Sequence, residues 1–231
     1  MGLESWDLWI ANRILSSINS KGFISVVTKA ERGYGKSMYN LKAMAYVYWS
    51  INGNNETDAW NSALDAMIFT PTELSNMVDY NIRNDIVSPV WCIDDAAVHF
   101  SSYLHFINLY QAALLNATFD TIRTVTSALL INCPSKKRLL PSLRNYDDYE
   151  VTLYKDRGYQ RKAVAIKWYS MPSGQKKFRK EWEDYFSCFV PNWIFEKYML
   201  KRKKYLKEIN SRLDELRIKL EKKQSNKEVV V

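Results

Sequence analysis

Phe23-Ile-Ser-Val-Val-Thr-Lys-Ala-Glu-Arg-Gly-Tyr-Gly-Lys-Ser37 decides the fold: an apolar run passes into a short glycine-bearing turn and closes on Gly-Lys-Ser. Gly33 and Gly35 permit positive φ and a close approach of backbone to an anion. The loop's amides can then converge on phosphate oxygens. Lys36 is placed to reach the β- and γ-phosphates of a nucleotide and Ser37 to set its hydroxyl on Mg²⁺, while the helix starting near Lys36 adds its partial positive charge. The stretch reads as a phosphate-binding loop, with Gly33, Tyr34, Gly35, Lys36, Ser37 and Met38 as its nucleotide-binding residues.

Against the Walker A pattern G-x-x-x-x-G-K-[ST], the final Gly-Lys-Ser matches and the first position is Ala30. A glycine pair before a lysine also occurs in ordinary solvated turns, so the setting carries the reading. Ile24 to Val27 reads as a short buried strand, and Ser37 to Trp49 as a helix with Met38, Leu41, Ala45 and Tyr48 at helical spacing. Strand, loop and helix are the context the motif requires.

A second motif follows in order. Ser88-Pro-Val-Trp-Cys-Ile-Asp-Asp95 is an apolar strand ending in paired carboxylates, a Walker B pattern. With this strand beside the loop strand, Asp94 would enter the Mg²⁺ shell, and Asp95 would orient and deprotonate an attacking water. The alternative for Asp95 is the N-cap of a helix, since Ala96-Ala-Val-His-Phe100 follows.

Further along, residues 58–67 predict a short helix, 68–70 a strand, and Pro71 opens a helix over 74–84. These make a strand–helix–strand unit consistent with a parallel sheet. Upstream, Leu3 to Ile18 predicts an amphipathic helix with Trp6, Ile10 and Ile14 on one face. Downstream, residues 96–119 read as a long helical region, and Ser127 to Ile131 as a buried strand ending in Asn132. Asn132 is either a sensor of the γ-phosphate or a turn residue before Pro134.

The order GYGKS, VWCIDD, ALLINCPS, then RLLPSLRNYDDYEVTLYK resembles the additional-strand P-loop ATPases, within them the FtsK/HerA-like and zonula-occludens-toxin-like branch. The Asp-Asp-Ala after the Walker B strand also resembles small ATPases of archaeal viruses and plasmids, some of which package genomes. The resemblance covers about residues 20 to 155. It implies a RecA-like α/β core with a central mostly parallel sheet, ATP and Mg²⁺ as ligands, and a homo-oligomeric, hexameric ring on double-stranded DNA. Such ATPases commonly carry Glu where this chain has Asp95. A ring of this kind needs an arginine finger from the neighbouring subunit; Arg123 and Arg144 are the candidates, and a surface arginine is the alternative for each. Lys136, Lys137 and Arg138 lie in the same basic stretch.

Glu150 to Lys155 and Ala163 to Tyr169 flank a loop with one glycine and predict a β-hairpin whose tip carries Arg157, Arg161 and Lys162. The C-terminal third is basic: Gln175-Lys-Lys-Phe-Arg-Lys180, then a long helix to about Lys223 bearing Lys201-Arg-Lys-Lys204 and a packing stripe of Tyr198, Tyr205, Ile209, Leu213, Leu216 and Leu220. The domain reading is a core over 1–170 and a basic helical extension over 171–231.

Length and charge bound the function. At 231 residues and 27.1 kDa the chain holds one α/β domain with a modest extension. A net charge of +8 favours an anionic partner, with nucleic acid the first guess. Cys92, Cys133 and Cys188 are far apart and predict a reducing compartment, the cytoplasm. His99 and His105 read as structural or solvent-facing. No apolar run reaches the length of a membrane span, and no signal-peptide pattern opens the sequence. Two functions are compatible: an ATP-hydrolysing motor translocating or packaging DNA, and a non-motor ATP switch such as a partition or replication-initiation factor. Glu31 stands where partition ATPases carry an early loop lysine, which argues against that subclass. A small-molecule kinase is a third reading without a clear acceptor motif.

Overall fold

The computed structural model describes residues 7–53, 55–101, 109–145 and 148–228. Two compact units are distinguished, Met1–Val190 and Pro191–Val231. The first unit runs α1 (Trp9–Asn19), β1 (Ile24–Lys29), α2 (Lys36–Ile51), α3 (Glu56–Asp65), β2 (Met67–Ile68), α4 (Pro71–Asn84), β3 (Trp91–Ile93) and α5 (Ala96–His99). It continues with α6 (Leu109–Thr121), β4 (Ala128–Cys133), α7 (Pro141–Asn145), β5 (Tyr149–Lys155), β6 (Gln160–Ser170) and β7 (Lys176–Ser187). The second unit is one helix, α8 (Asn192–Glu228).

The seven strands form one sheet in the order β2-β3-β4-β1-β5-β6-β7. The first five pair in parallel; β5–β6 and β6–β7 are antiparallel. The protein is therefore α/β, with a mostly parallel centre extended on one side by an antiparallel ribbon. Every residue of β4 is buried, as are five of the six in β1. Continuous apolar strands of this kind belong inside a sheet covered on both faces.

Helix α2 is buried nearly all round, with Tyr39, Leu41, Ala43, Met44, Ala45 and Val47 fully inaccessible. A single stripe would suffice for a surface helix; α2 needs more because α1 and α3 pack against it as well as the strands. Helix α4 starts where its sequence dictates. Pro71 sits in the first turn and Thr70 and Glu73 form a reciprocal capping box.

Three expectations change. The acidic strand does not lie beside the loop strand: β4 is inserted between β1 and β3. Its six buried residues need paired neighbours on both edges, which the three-residue β3 and β1 supply. The long helix expected over 96–119 is instead the four-residue α5 and, after an interval, α6. His105 lies outside the described residues, as do Leu3 and Trp6 of the expected N-terminal helix, which starts at Trp9.

The hairpin forms as expected but gains a third strand, β7, so the helical extension begins at Asn192 rather than 171. In β7, Trp182, Asp184 and Phe186 are buried in alternation. Asp184 interrupts the apolar pattern because it serves a polar purpose. Its Oδ1 accepts from Trp9 N at 2.7 Å and its Oδ2 from Ile10 N at 3.4 Å and Tyr39 Oη at 2.5 Å. It thereby caps α1, whose own N-cap residue, Leu8, offers no side-chain bond. The side chains of the expected stripe from Leu213 onward lie outside the described residues. Among the described residues no helix is long and apolar enough to cross a membrane.

Candidate nucleotide-binding site

The loop from Ala30 to Gly35 leaves the C-terminal end of β1 and enters α2. Gly33 has φ of 79° and Gly35 of 91°, the left-handed region that glycine occupies without penalty. Gly35 is the N-cap of the sixteen-residue α2, whose first amides face the loop without a side-chain cap. A Cβ at Gly35 would collide with Cys188 Sγ, so close approach as well as φ requires glycine here. The Lys36 ammonium folds over the loop, donating to Ala30 O at 2.8 Å and Glu31 O at 3.1 Å.

Strand register sets the facing groups. Thr28 pairs with Asn132, and Ile93 with Ile131, so Asp94 emerges level with Asn132 on adjacent strands. Ser37 Oγ donates to Asp94 Oδ1 at 2.9 Å, Asn132 Nδ2 donates to the same oxygen at 2.8 Å, and Asp95 N at 3.1 Å. Behind them Asn40 Nδ2 donates to Asn132 Oδ1 at 2.8 Å, and Thr28 Oγ1 to Asn40 Oδ1 at 3.2 Å. Thr28, Asn40, Asn132 and Asp94 are all buried. A connected, satisfied network of this kind holds its carboxylate in one place. Burial and the Asp94 charge push the neighbouring Cys92 thiol well up.

Asp95 adopts φ of 47° at the N-cap position of α5, yet its side chain makes no capping bond. Left-handed backbone on a non-glycine residue is uncommon and gathers at functional positions. Met38 is buried in the first turn of α2, serving the core.

The other flank of β1 is cationic. Burial pushes the Glu150 carboxyl up, but Lys29 and then Lys136 outweigh it and hold it below its usual range; both lysines pair with it, Lys136 at 3.3 Å. Lys155 Nζ lies 5.0 Å from the centre of the Tyr34 ring. The Tyr34 phenol is raised by the Glu31 charge, then by burial and a bond to Glu31, with Arg161 opposing. Lys42 is buried in α2 and donates to Ser187 O at 2.6 Å and Ser187 Oγ at 3.2 Å; burial lowers its pKa to about 8.

The structure thus brings together Gly33, Tyr34, Gly35, Lys36, Ser37, Asp94, Asp95 and Asn132. It does not bring the two arginines to them. Arg123 lies in the turn before β4, at the end of that strand opposite Asn132. Arg144 Nε donates to Leu139 O at 2.9 Å, tying it to its own segment. Hollows of about 280 and 330 Å³, lined among others by Leu74 and Leu115 and by Tyr48 and Trp91, lie away from the loop. Among the described residues no group of three His, Cys, Asp or Glu is arranged to hold a metal. The Ser37 hydroxyl and Asp94 carboxylate are nevertheless the hard oxygen donors Mg²⁺ takes when phosphate and water complete its shell.

Sequence reasoning missed Asn40, Glu150 and Lys155. Asn40 carried a signal, a polar residue in an otherwise apolar helix; the other two are defined only by strand pairing.

No family model matches the chain. It is 25% identical over 222 residues to B-251, an uncharacterised protein of Sulfolobus spindle-shape virus 1, covering 90% of this chain and 85% of that one. It is 24% identical over 160 residues to ORF286, an uncharacterised protein of Acidianus two-tailed virus, covering 68% of this chain and 53% of that one. Both relatives are archaeal virus proteins.

Proposed function

We propose that this chain is an Mg²⁺-dependent ATPase of RecA-like P-loop type acting on nucleic acid, as a DNA-translocating or genome-packaging motor of a virus. The observation that carries the reading is the convergence of Ser37, Asp94 and Asn132 beside a glycine loop that holds Lys36. The insertion of β4 between the loop strand and the acidic strand supports it, because it sets Asn132 level with Asp94. Viral relatives support the biological setting.

Bound ATP supplies a phosphoanhydride whose cleavage is exergonic, with Mg²⁺ neutralising its charge. The chain's own groups do the rest. Lys36 exchanges the carbonyls of Ala30 and Glu31 for phosphate oxygens, and the amides at the start of α2 add donors. Ser37 and Asp94 would hold the metal, with Asn132, its amide engaged by Asp94 and Asn40, fixing the Asp94 carboxylate. Asp95, at the head of α5 beside Asp94, takes the proton of the attacking water. An arginine from a neighbouring copy in a ring, Arg123 or Arg144, completes charge stabilisation. DNA is held through basic groups such as Arg157 at the hairpin tip, in salt-sensitive phosphate contacts.

Asp95→Asn tests the assignment of the base. The variant is expected to bind ATP like wild type and cleave it at least a hundredfold more slowly in a single-turnover assay. Normal cleavage by Asp95→Asn would remove Asp95 from the mechanism.

A further inference from the structure

The site's two ends are distinguished by strand order. Ser37, Asp94 and Asn132, the groups suited to metal and terminal phosphate, all lie on the β4–β3 side of β1. A triphosphate anchored there and crossing Gly35 would run toward β5, β6 and β7. The ends of those strands meet the loop: β5 runs parallel to β1, Lys155 pairs with Arg161, and Gln160 pairs with Ser187.

Two features on that flank are unexplained by packing. Arg161 Nε is buried with no hydrogen-bond partner, although Arg161 lies close enough to Tyr34 to act on its phenol. The same guanidinium donates through Nη1 to Gln160 O at 2.9 Å, and the unpaired Nε is a cost the fold carries there. Tyr159 and Phe189 form an aromatic pair with centroids 5.5 Å apart and planes at 59°, yet they are 77% and 65% exposed. Their position is fixed relative to the loop. Lys42 clamps Ser187, and the next residue, Cys188, sits against Gly35 with Phe186 also adjacent. Phe189 follows directly.

We propose that this corner is the nucleoside subsite: Tyr159 and Phe189 pack on the base of the bound nucleotide, one ring face-on and the other edge-on, and the charges of Lys155 and Arg161 attract its sugar-proximal phosphate. The inference rests on the nucleotide-binding reading of the loop. Rings with most of their surface open offer a face to a planar base, and such stacking needs no hydrogen-bond readout. The cations Lys155 and Arg161 beside Tyr34 match the anionic half of the same ligand.

The test is calorimetric titration of the full chain with ATP and, separately, with inorganic tripolyphosphate, both with Mg²⁺. Wild type is expected to bind ATP about tenfold more tightly than tripolyphosphate, the scale of one base–aromatic stack. The double variant Tyr159→Ala/Phe189→Ala should lose that advantage while its tripolyphosphate affinity stays unchanged. Tyr159→Phe/Phe189→Tyr, which keeps both rings, should retain it. Equal binding of the two ligands by wild type overturns the subsite, as does wild-type ATP affinity in the double alanine variant or a parallel loss of tripolyphosphate. Loss of stimulation by DNA with ATP affinity intact would assign the pair to nucleic acid instead and also overturns it. Failure of wild type to bind either ligand sinks the loop reading itself.

Discussion

The two flanks of β1 are built on opposite plans. On the β4–β3 side, polar groups are buried and bonded to one another, so Asp94 is held by Ser37 and Asn132, and Asn132 by Asn40. On the β5–β7 side, cations and aromatic rings stand open, and Tyr154, Tyr159, Phe178, Tyr185 and Phe189 are all at least half exposed. Preorganised, internally satisfied groups suit chemistry, because they need no rearrangement when charge develops. Exposed basic and aromatic groups suit a partner that brings its own negative charge and planar surfaces. The phosphate loop joins the two, with Ser37 facing one flank and Tyr34 the other.

Gly35 is the point at which the flanks are locked together, and its replacement has the largest expected effect. Gly35→Ala adds a Cβ to left-handed backbone, costing about 1–2 kcal/mol. It also drives that atom into Cys188, costing about 1–3 kcal/mol more. Nucleotide binding should be lost and the urea midpoint should fall; an unchanged midpoint would mean that β7 does not bear on the loop as described.

Asn40→Leu strikes the buried flank alone. It leaves Asn132 Oδ1 and the Thr28 hydroxyl without their partner in a buried place, at about 1–3 kcal/mol. Turnover should fall while nucleotide affinity changes little, since Lys36 and the loop amides are untouched. A fall in affinity with intact turnover would contradict the separation of roles.

The smallest effect concerns Lys42 on the open flank. Its folded pKa of about 8 lies below its ordinary 10.5, so between those values the unfolded chain carries a proton that the folded chain does not. Stability should therefore rise with pH across that window. In Lys42→Met this part of the rise should vanish in urea titrations at pH 8 and 10; an identical slope in both proteins would place the ammonium in solvent.

The two flanks were not equally legible in the sequence. The loop, β1, the acidic strand and Asn132 could be read because glycine, lysine and strand-end carboxylates sit at fixed chain spacing. Strand order could not, and it decides which residues meet. Arg123 precedes the same strand that carries Asn132 near its far end, yet the length of β4 separates them. Strand β7 escaped because Asp184 occupies a buried position that alternation assigns to an apolar residue, and because a register shift at Ala165/Ile166 breaks the pattern against β6. Asn40 escaped because the apolar spacing of α2 drew attention to Met38, Leu41, Ala45 and Tyr48 and not to the one amide among them.

The most direct measurement is steady-state ATP hydrolysis with Mg²⁺, with and without double-stranded DNA, for the wild-type chain and for Lys36→Ala. The account predicts turnover by wild type that DNA raises and that disappears in Lys36→Ala under both conditions. Turnover that persists in Lys36→Ala would contradict it, because the loop would then not be where the phosphates are held.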